Sequence, residues 1–123
     1  MAKTILVVED DKYLRDVLVE KLKKEGFDVL EAVDGEAGLA MTAEKKPDLV
    51  VLDIILPLLN GFDYLEKKAK NNALEKIPVI ILSNLGQRED VERGMKLGAK
   101  DYVVKAHFTP NDLIEKVRAL LEK

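Results

Sequence analysis

The chain has 123 residues, 47% of them hydrophobic and 35% charged, the proportions of one globular domain rather than of a disordered chain. Its 20 basic and 23 acidic residues leave a net charge of -3, so no basic surplus drives nucleic-acid binding and no direct nucleic-acid contact is expected. The lack of cysteine and the single histidine exclude disulfides, thiolate chemistry and histidine-rich metal sites, while no apolar run reaches the ~20 residues that span a bilayer. The opening MAKTILVVEDD turns acidic too early for a signal peptide, and the expectation is a soluble, cytoplasmic single domain over residues 1–123, with no membrane contact.

In chain order, Ile5–Val8 is a short, largely β-branched run that predicts a strand. After Asp11, an expected N-cap, Leu14, Val17, Leu18 and Leu22 recur at helical spacing until Gly26 stops the helix. FDVLEA (Phe27–Ala32) alternates apolar and polar residues, as a strand exposed on one face near a sheet edge does. Ala37–Lys46 predicts a helix that ends before Pro47, and LVVLD (Leu49–Asp53) is apolar on both faces, as a central parallel strand requires. Gly61–Lys70 is helical in pattern with Phe62, Leu65 and Ala69 on one side, and PVIILS (Pro78–Ser83) predicts a second doubly buried strand. Arg88–Leu97 carries Val91 and Met95 four apart and is followed by Gly98, and DYVVK (Asp101–Lys105) is a fifth strand. Pro110 opens a last helix whose stripe is Leu113, Ile114, Val117, Leu120 and Leu121.

A strand followed by a helix, five times over, predicts an α/β fold with a parallel sheet covered on both sides. Right-handed crossovers leave few topologies. The flavodoxin-like (βα)5 sandwich with strand order 2-1-3-4-5 fits, because it puts FDVLEA at one edge and DYVVK at the other.

The stretch VVLDIILP (Val50–Pro57) sets one carboxylate, Asp53, among apolar residues. A buried carboxylate is costly unless it is paired, hydrogen-bonded or bound to a cation. In an open α/β sheet ligands bind beyond the carboxyl ends of the strands. The residues at those ends are Glu9 and Asp10, Asp53, Ser83 and Lys105. Three close carboxylates raise one another's pKa values unless a cation neutralises them, and hard oxygen ligands with room for water suit Mg2+. Lys105 and Ser83 add a compact positive charge and a hydroxyl, which suit a phosphoryl group. Each residue alone has an ordinary explanation as a loop cap, turn hydroxyl or solvated lysine. Together they read as a metal-assisted phosphoryl site with a carboxylate nucleophile.

ILVVEDD, LDIILPLLNG, VIILSN and YVVK, in this order and spacing, resemble the receiver domain of bacterial two-component response regulators, the stand-alone single-domain type included. The resemblance covers essentially the whole chain. It implies a phosphorelay switch in which a histidine kinase, a phosphotransfer protein or a small phosphodonor phosphorylates Asp53. It also implies that Asp10 ligates Mg2+ directly, Glu9 largely through water, and Asp53 and the Ile55 backbone carbonyl complete the protein ligands. Lys105 and Ser83 would contact the phosphoryl oxygens, and Tyr102 would be the switch aromatic. A face built from residues 87–108 and the last helix would change shape for an unidentified protein target or a second copy of the chain. Such a domain is no conventional enzyme, since it catalyses at most its own phosphorylation and dephosphorylation.

Four features depart from the family pattern. Ala106 follows Lys105 where a proline is usual, and the AHFTP stretch with its single His107 looks one residue longer. Asn84 stands where a small residue is commoner. Ile55 and Leu85 are apolar at the two variable positions flanking the phosphoryl group and cannot orient a water, which predicts slow self-dephosphorylation. Leu58 and Leu59 follow Pro57 as either a packed plug or a contact surface. Rival readings fit less well. A haloacid-dehalogenase-type phosphatase needs a second aspartate where Ile55 stands, and a flavodoxin needs a Ser/Thr/Gly-rich loop where EDD stands. A receiver-like module that binds partners without phosphorylation is the alternative that the residues leave open.

Overall fold

The structure, a computed structural model, describes residues 2–122. The elements are β1 (Thr4–Val8), α1 (Lys12–Lys24), β2 (Asp28–Ala32), α2 (Gly35–Lys45), β3 (Leu49–Leu52), α3 (Gly61–Ala69), β4 (Val79–Ser83), α4 (Arg88–Lys96), β5 (Asp101–Val104) and α5 (Pro110–Leu121). The strands form one parallel sheet in the order β2-β1-β3-β4-β5, the flavodoxin-like arrangement expected from the sequence.

Successive side chains of a strand point to opposite faces, so strands apolar at every position feed two cores. Ile5, Val7, Val51, Ile80 and Leu82 pack with Leu18 and Leu22 of α1 and Leu113, Ile114 and Val117 of α5. Leu6, Val8, Val50, Leu52 and Ile81 pack on the other face with Phe62, Tyr64 and Leu65 of α3. Asp11 caps α1 by accepting from the Leu14 amide at 3.1 Å, as its position before the helix suggested. Pro110 opens α5, reinforced by a capping box between Thr109 and Asp112 that a Thr-x-x-Asp spacing carries.

Three details differ from the sequence pattern. On α3 the inward residue is Lys68, and Ala69 is exposed. On α4 Met95 is 42% exposed, Val91 is only half-buried, and Gly94 is the buried residue, so this helix lies on the sheet without an apolar stripe. The fifth strand ends at Val104, because Lys105–His107 closes into a single 3-10 turn. Among the described residues all peptide bonds are trans, that before Ala106 included.

Candidate active site at the carboxyl edge of the sheet

β1 and β3 are neighbours, so the residues that follow them emerge side by side. The Asp53 amide donates to the Val8 carbonyl at 3.1 Å and the Glu9 amide to the Ala32 carbonyl at 3.1 Å, which extends the ladder just past the strand ends. Glu9 turns inward, 2% exposed, while Asp10 stays exposed. Two contacts fix that bend: the Asp11 amide donates to Glu9 Oε2 at 3.1 Å, and Arg15 Nη1 donates to the Glu9 carbonyl at 2.8 Å. Arg15 also donates through Nε to Glu31 Oε1 at 3.2 Å. Nothing in the sequence singles Arg15 out, because its partners come from a different strand and a loop.

Asp53 is 5% exposed and fully engaged. Its Oδ1 accepts from the Ile54 amide at 2.6 Å and the Ile55 amide at 3.2 Å, and its Oδ2 accepts from Lys105 Nζ at 2.8 Å. The same Nζ lies 2.8 Å from Glu9 Oε1, so one ammonium bridges two buried carboxylates. The loop beyond Asp53 folds back onto it, with the Gly61 amide donating to the Ile54 carbonyl at 2.9 Å. A Cβ at Gly61 would stand 2.6 Å from the Asp53 carbonyl oxygen and 2.7 Å from Ile54 Cα, so only glycine permits that approach. Asn60 caps α3 by accepting from the Asp63 amide at 3.0 Å. Of the two leucines after Pro57, Leu59 is the partly buried plug, packed on the core, whereas Leu58 is exposed.

One carboxylate oxygen each from Glu9, Asp10 and Asp53 can be chosen within 4.8 Å of the others. The donor set is all hard oxygen, with Asp10 open to solvent, which fits a small divalent cation that keeps part of its water shell. Burial pushes the Glu9 carboxyl above the ordinary glutamate range, against the pull of Lys105. For Lys105 burial alone would lower the pKa, but its bonds to Asp53 and Glu9 outweigh it and raise the value. The ammonium is therefore held charged between them.

The cleft of about 280 Å³ is lined by Glu9, Asp10, Asp11, Asp53, Ile55, Asn84 and Lys105. A larger and more apolar cleft lies between α2 and α3 beside Leu39, Leu59 and Leu74, but it lacks the converging carboxylates and ammonium gathered here. Glu9, Asp10, Asp53, Ile55 and Lys105 thus come together as expected. Ser83 does not line the cleft. It is the last residue of β4 and fully buried; its Oγ accepts from the Leu85 amide at 3.3 Å, which folds the loop over it, and Asn84 forms the wall. Tyr102, half-buried, donates to the Leu85 carbonyl at 2.5 Å. Ser83 and Tyr102 therefore meet at the two ends of one residue's backbone. Burial pushes the Tyr102 phenol up to about 12, with the charges of Asp90 and Asp53 adding to it.

A family model described as the response regulator receiver domain matches residues 5–118. The chain is 37% identical over 119 residues to the DNA-binding dual master transcriptional regulator RpaA of Synechocystis, a match that covers 97% of this chain and 49% of that one. The chain spans about half the length of the curated relatives it matches. Among solved structures, the receiver domain of the Francisella response regulator 1452 is 33% identical, with a TM-score of 0.91 over 98% of this chain and 97% of the other. The receiver domain of the sensor histidine kinase PA1611 from Pseudomonas aeruginosa, solved with a magnesium ion coordinated in its active site cleft, shares the fold at 23% identity, with a TM-score of 0.91 and 100% of both chains covered.

Proposed function

Because the chain belongs to the response regulator receiver domain family, we propose that it is a phosphoacceptor switch in which Asp53, with Mg2+ present, takes a phosphoryl group from a histidine kinase, a phosphotransfer protein or a small phosphodonor. The observation that carries this reading is the Lys105 ammonium, 2.8 Å from both Asp53 Oδ2 and Glu9 Oε1 in a cleft that also holds Asp10.

In the reaction an Asp53 carboxylate oxygen attacks phosphorus and forms the O–P bond. The bond from phosphorus to the donor's nitrogen or oxygen breaks, and its electron pair leaves with the donor. The two backbone amides on Oδ1 hold the carboxylate plane, so little reorientation is needed before attack. Lys105 meets the negative charge on the peripheral oxygens. Asp10 directly, Glu9 largely through water, Asp53 and the Ile55 carbonyl are the groups that would hold Mg2+, which when bound supplies neutralisation of the gathered negative charge. Among the described residues no helix is long and apolar enough to cross a membrane.

The acyl phosphate adds charge and acceptor oxygens beside the loop after β4. Drawing the Ser83 hydroxyl toward them moves Leu85, and Leu85 is where Tyr102 is tethered. The face of α4, β5 and α5 then changes shape, and a protein target or a second copy of the chain that prefers one shape reads the signal.

The test is intact mass after incubation with Mg2+ and acetyl phosphate, beside an Asp53→Asn variant and an EDTA control. One added phosphoryl group, absent from both controls, is the expected result. A folded protein that gains nothing would instead be a phosphorylation-independent interaction module.

A further inference from the structure

The opposite end of the sheet holds a buried cation that the phosphoacceptor site does not use. Lys68, in the last turn of α3, is 5% exposed. An ammonium carries three N–H donors. Among the described residues Lys68 makes one side-chain hydrogen bond, from Nζ to the Glu75 carbonyl at 3.0 Å, and takes part in no ion pair. Its other two donors have no protein acceptor among the described residues, and Lys68 lines a cleft from which solvent or an anion can take them.

What Lys68 faces is a cleft of about 490 Å³ between α3, the end of α4 and the segments that lead into β4 and β5. Lys76 and Lys100 line it as well, with Glu75 the one carboxylate. Three lysines less one glutamate leave +2 in a cleft of a protein whose net charge is -3. The remaining walls are Leu65, Ala69, Leu97 and Gly98. Burial, and after it the charge of Lys100, lowers the Lys68 pKa, while Glu75 opposes the shift. An incoming anion relieves that repulsion and accepts from the Lys68 ammonium.

We propose that this cleft is a binding site for a small organic phosphate monoester: a dianion matches the +2 lining, and an apolar body matches the leucine and alanine walls. Lys68 is the fixed contact, and Lys76 and Lys100 close on the ligand from the lip.

The experiment titrates the whole chain, 13C-labelled at lysine Cε and free of Mg2+, with phenyl phosphate and separately with inorganic phosphate. The expected result is a saturable shift of the Lys68 signal and at least fivefold tighter binding of phenyl phosphate than of inorganic phosphate. The Lys105 signal reports the acidic cleft independently, so failure here and failure of the phosphoacceptor reading are read on different nuclei. Lys100→Ala should weaken binding at least fivefold, with Lys76→Ala as the second variant should the first not fold; Lys96→Ala, outside the cleft, should leave binding unchanged. An unmoved Lys68 signal, parallel unsaturated shifts of all lysines, or equal affinity for the two probes would overturn the assignment.

Discussion

Leu58 occupies a left-handed backbone position, φ 67°, in a tight turn closed by the Leu59 amide on the Pro57 carbonyl at 2.7 Å. That conformation costs an L-residue roughly 1–2 kcal/mol, and a side chain 73% exposed regains little of it by burial. Glycine removes the strain but loosens the unfolded chain by about 0.4–1 kcal/mol. Leu58→Gly should therefore stabilise the protein by about 0.5–1 kcal/mol, read from urea unfolding; a lower midpoint would mean that Leu58 makes an apolar contact after all. The side chain of Ile55, a residue 55% exposed at the cleft mouth, has no polar atom to position a water near a phosphoryl group on Asp53. Replacing it with asparagine should speed phosphate loss from Asp53, followed by the decay of the phosphorylated mass, and an unchanged half-life would count against Ile55 as the brake. At this scale the acidic residues and Lys105 are legible because each ends a strand and the topology aligns strand ends. Ser83 ends a strand too, yet the turn of the chain at Asn84 decides which side chain meets the cleft, and no periodicity records that turn. Lys68 escapes for a similar reason: its charge reads as solvent-facing, and only the tertiary packing around α3 buries it.

The element whose behaviour sequence conveys least is α4. Val91 and Met95 suggest an apolar stripe, but the helix instead meets the sheet through Gly94, where a Cβ would stand 2.6 Å from Ile81 Cδ1 and 3.0 Å from the Tyr102 ring. Few buried side chains anchor it, the condition under which an element shifts readily. A methyl group at that point has to displace either Ile81 or the aromatic ring, and the half-buried ring moves more easily into solvent. Gly94→Ala should therefore bring the Tyr102 phenol down from about 12 toward its ordinary 10.0. The sign of the linkage follows from the raised value. The protonated phenol is favoured in the fold, so its contribution is full below pH 10.0 and is lost as pH rises through about 12. Tyr64, also pushed up to about 12 by burial, against its bond to Thr42, stays as the internal reference. Absorbance titration at alkaline pH, differenced against Tyr102→Phe, reads the change; an unmoved Tyr102 would show that Ile81 yields instead. Strands are easier to read than this helix, because a doubly buried strand must be apolar at every position whatever it packs against, and that is why order 2-1-3-4-5 follows from the pattern while the seating of α4 does not.

For the whole molecule, the site is a local excess of negative charge held together by a single bridging ammonium. Glu9, Asp10, Asp11 and Asp53 line the cleft against Lys105 alone, and exposed Asp10 is the carboxylate without a hydrogen-bonded partner among the described residues. Folding brings these charges close, whereas the unfolded chain separates at least Asp53 from the other three by some 40 residues of sequence. The metal-free protein should accordingly gain stability when Asp10 becomes asparagine, with the gain shrinking as salt screens the repulsion. Mg2+ should reverse the order. A cation that binds the folded state alone stabilises it by RT ln(1 + [L]/Kd), about 1.4 kcal/mol at ten times Kd, and a domain of this size turns that into a rise of about 5 °C in Tm. Parent protein should show the rise, EDTA should abolish it, and Asp10→Asn should start higher without metal and climb little with it. Thermal melts at matched ionic strength with Mg2+, with NaCl and with EDTA separate specific binding from screening, since NaCl relieves repulsion without needing Asp10 as a ligand. Equal Mg2+ increments in parent and variant would mean that Asp10 holds no metal and that the acidic cluster stabilises a fold rather than a cofactor. A variant less stable than the parent without metal would mean that Lys105 already neutralises the cleft, which would leave Mg2+ no repulsion to relieve.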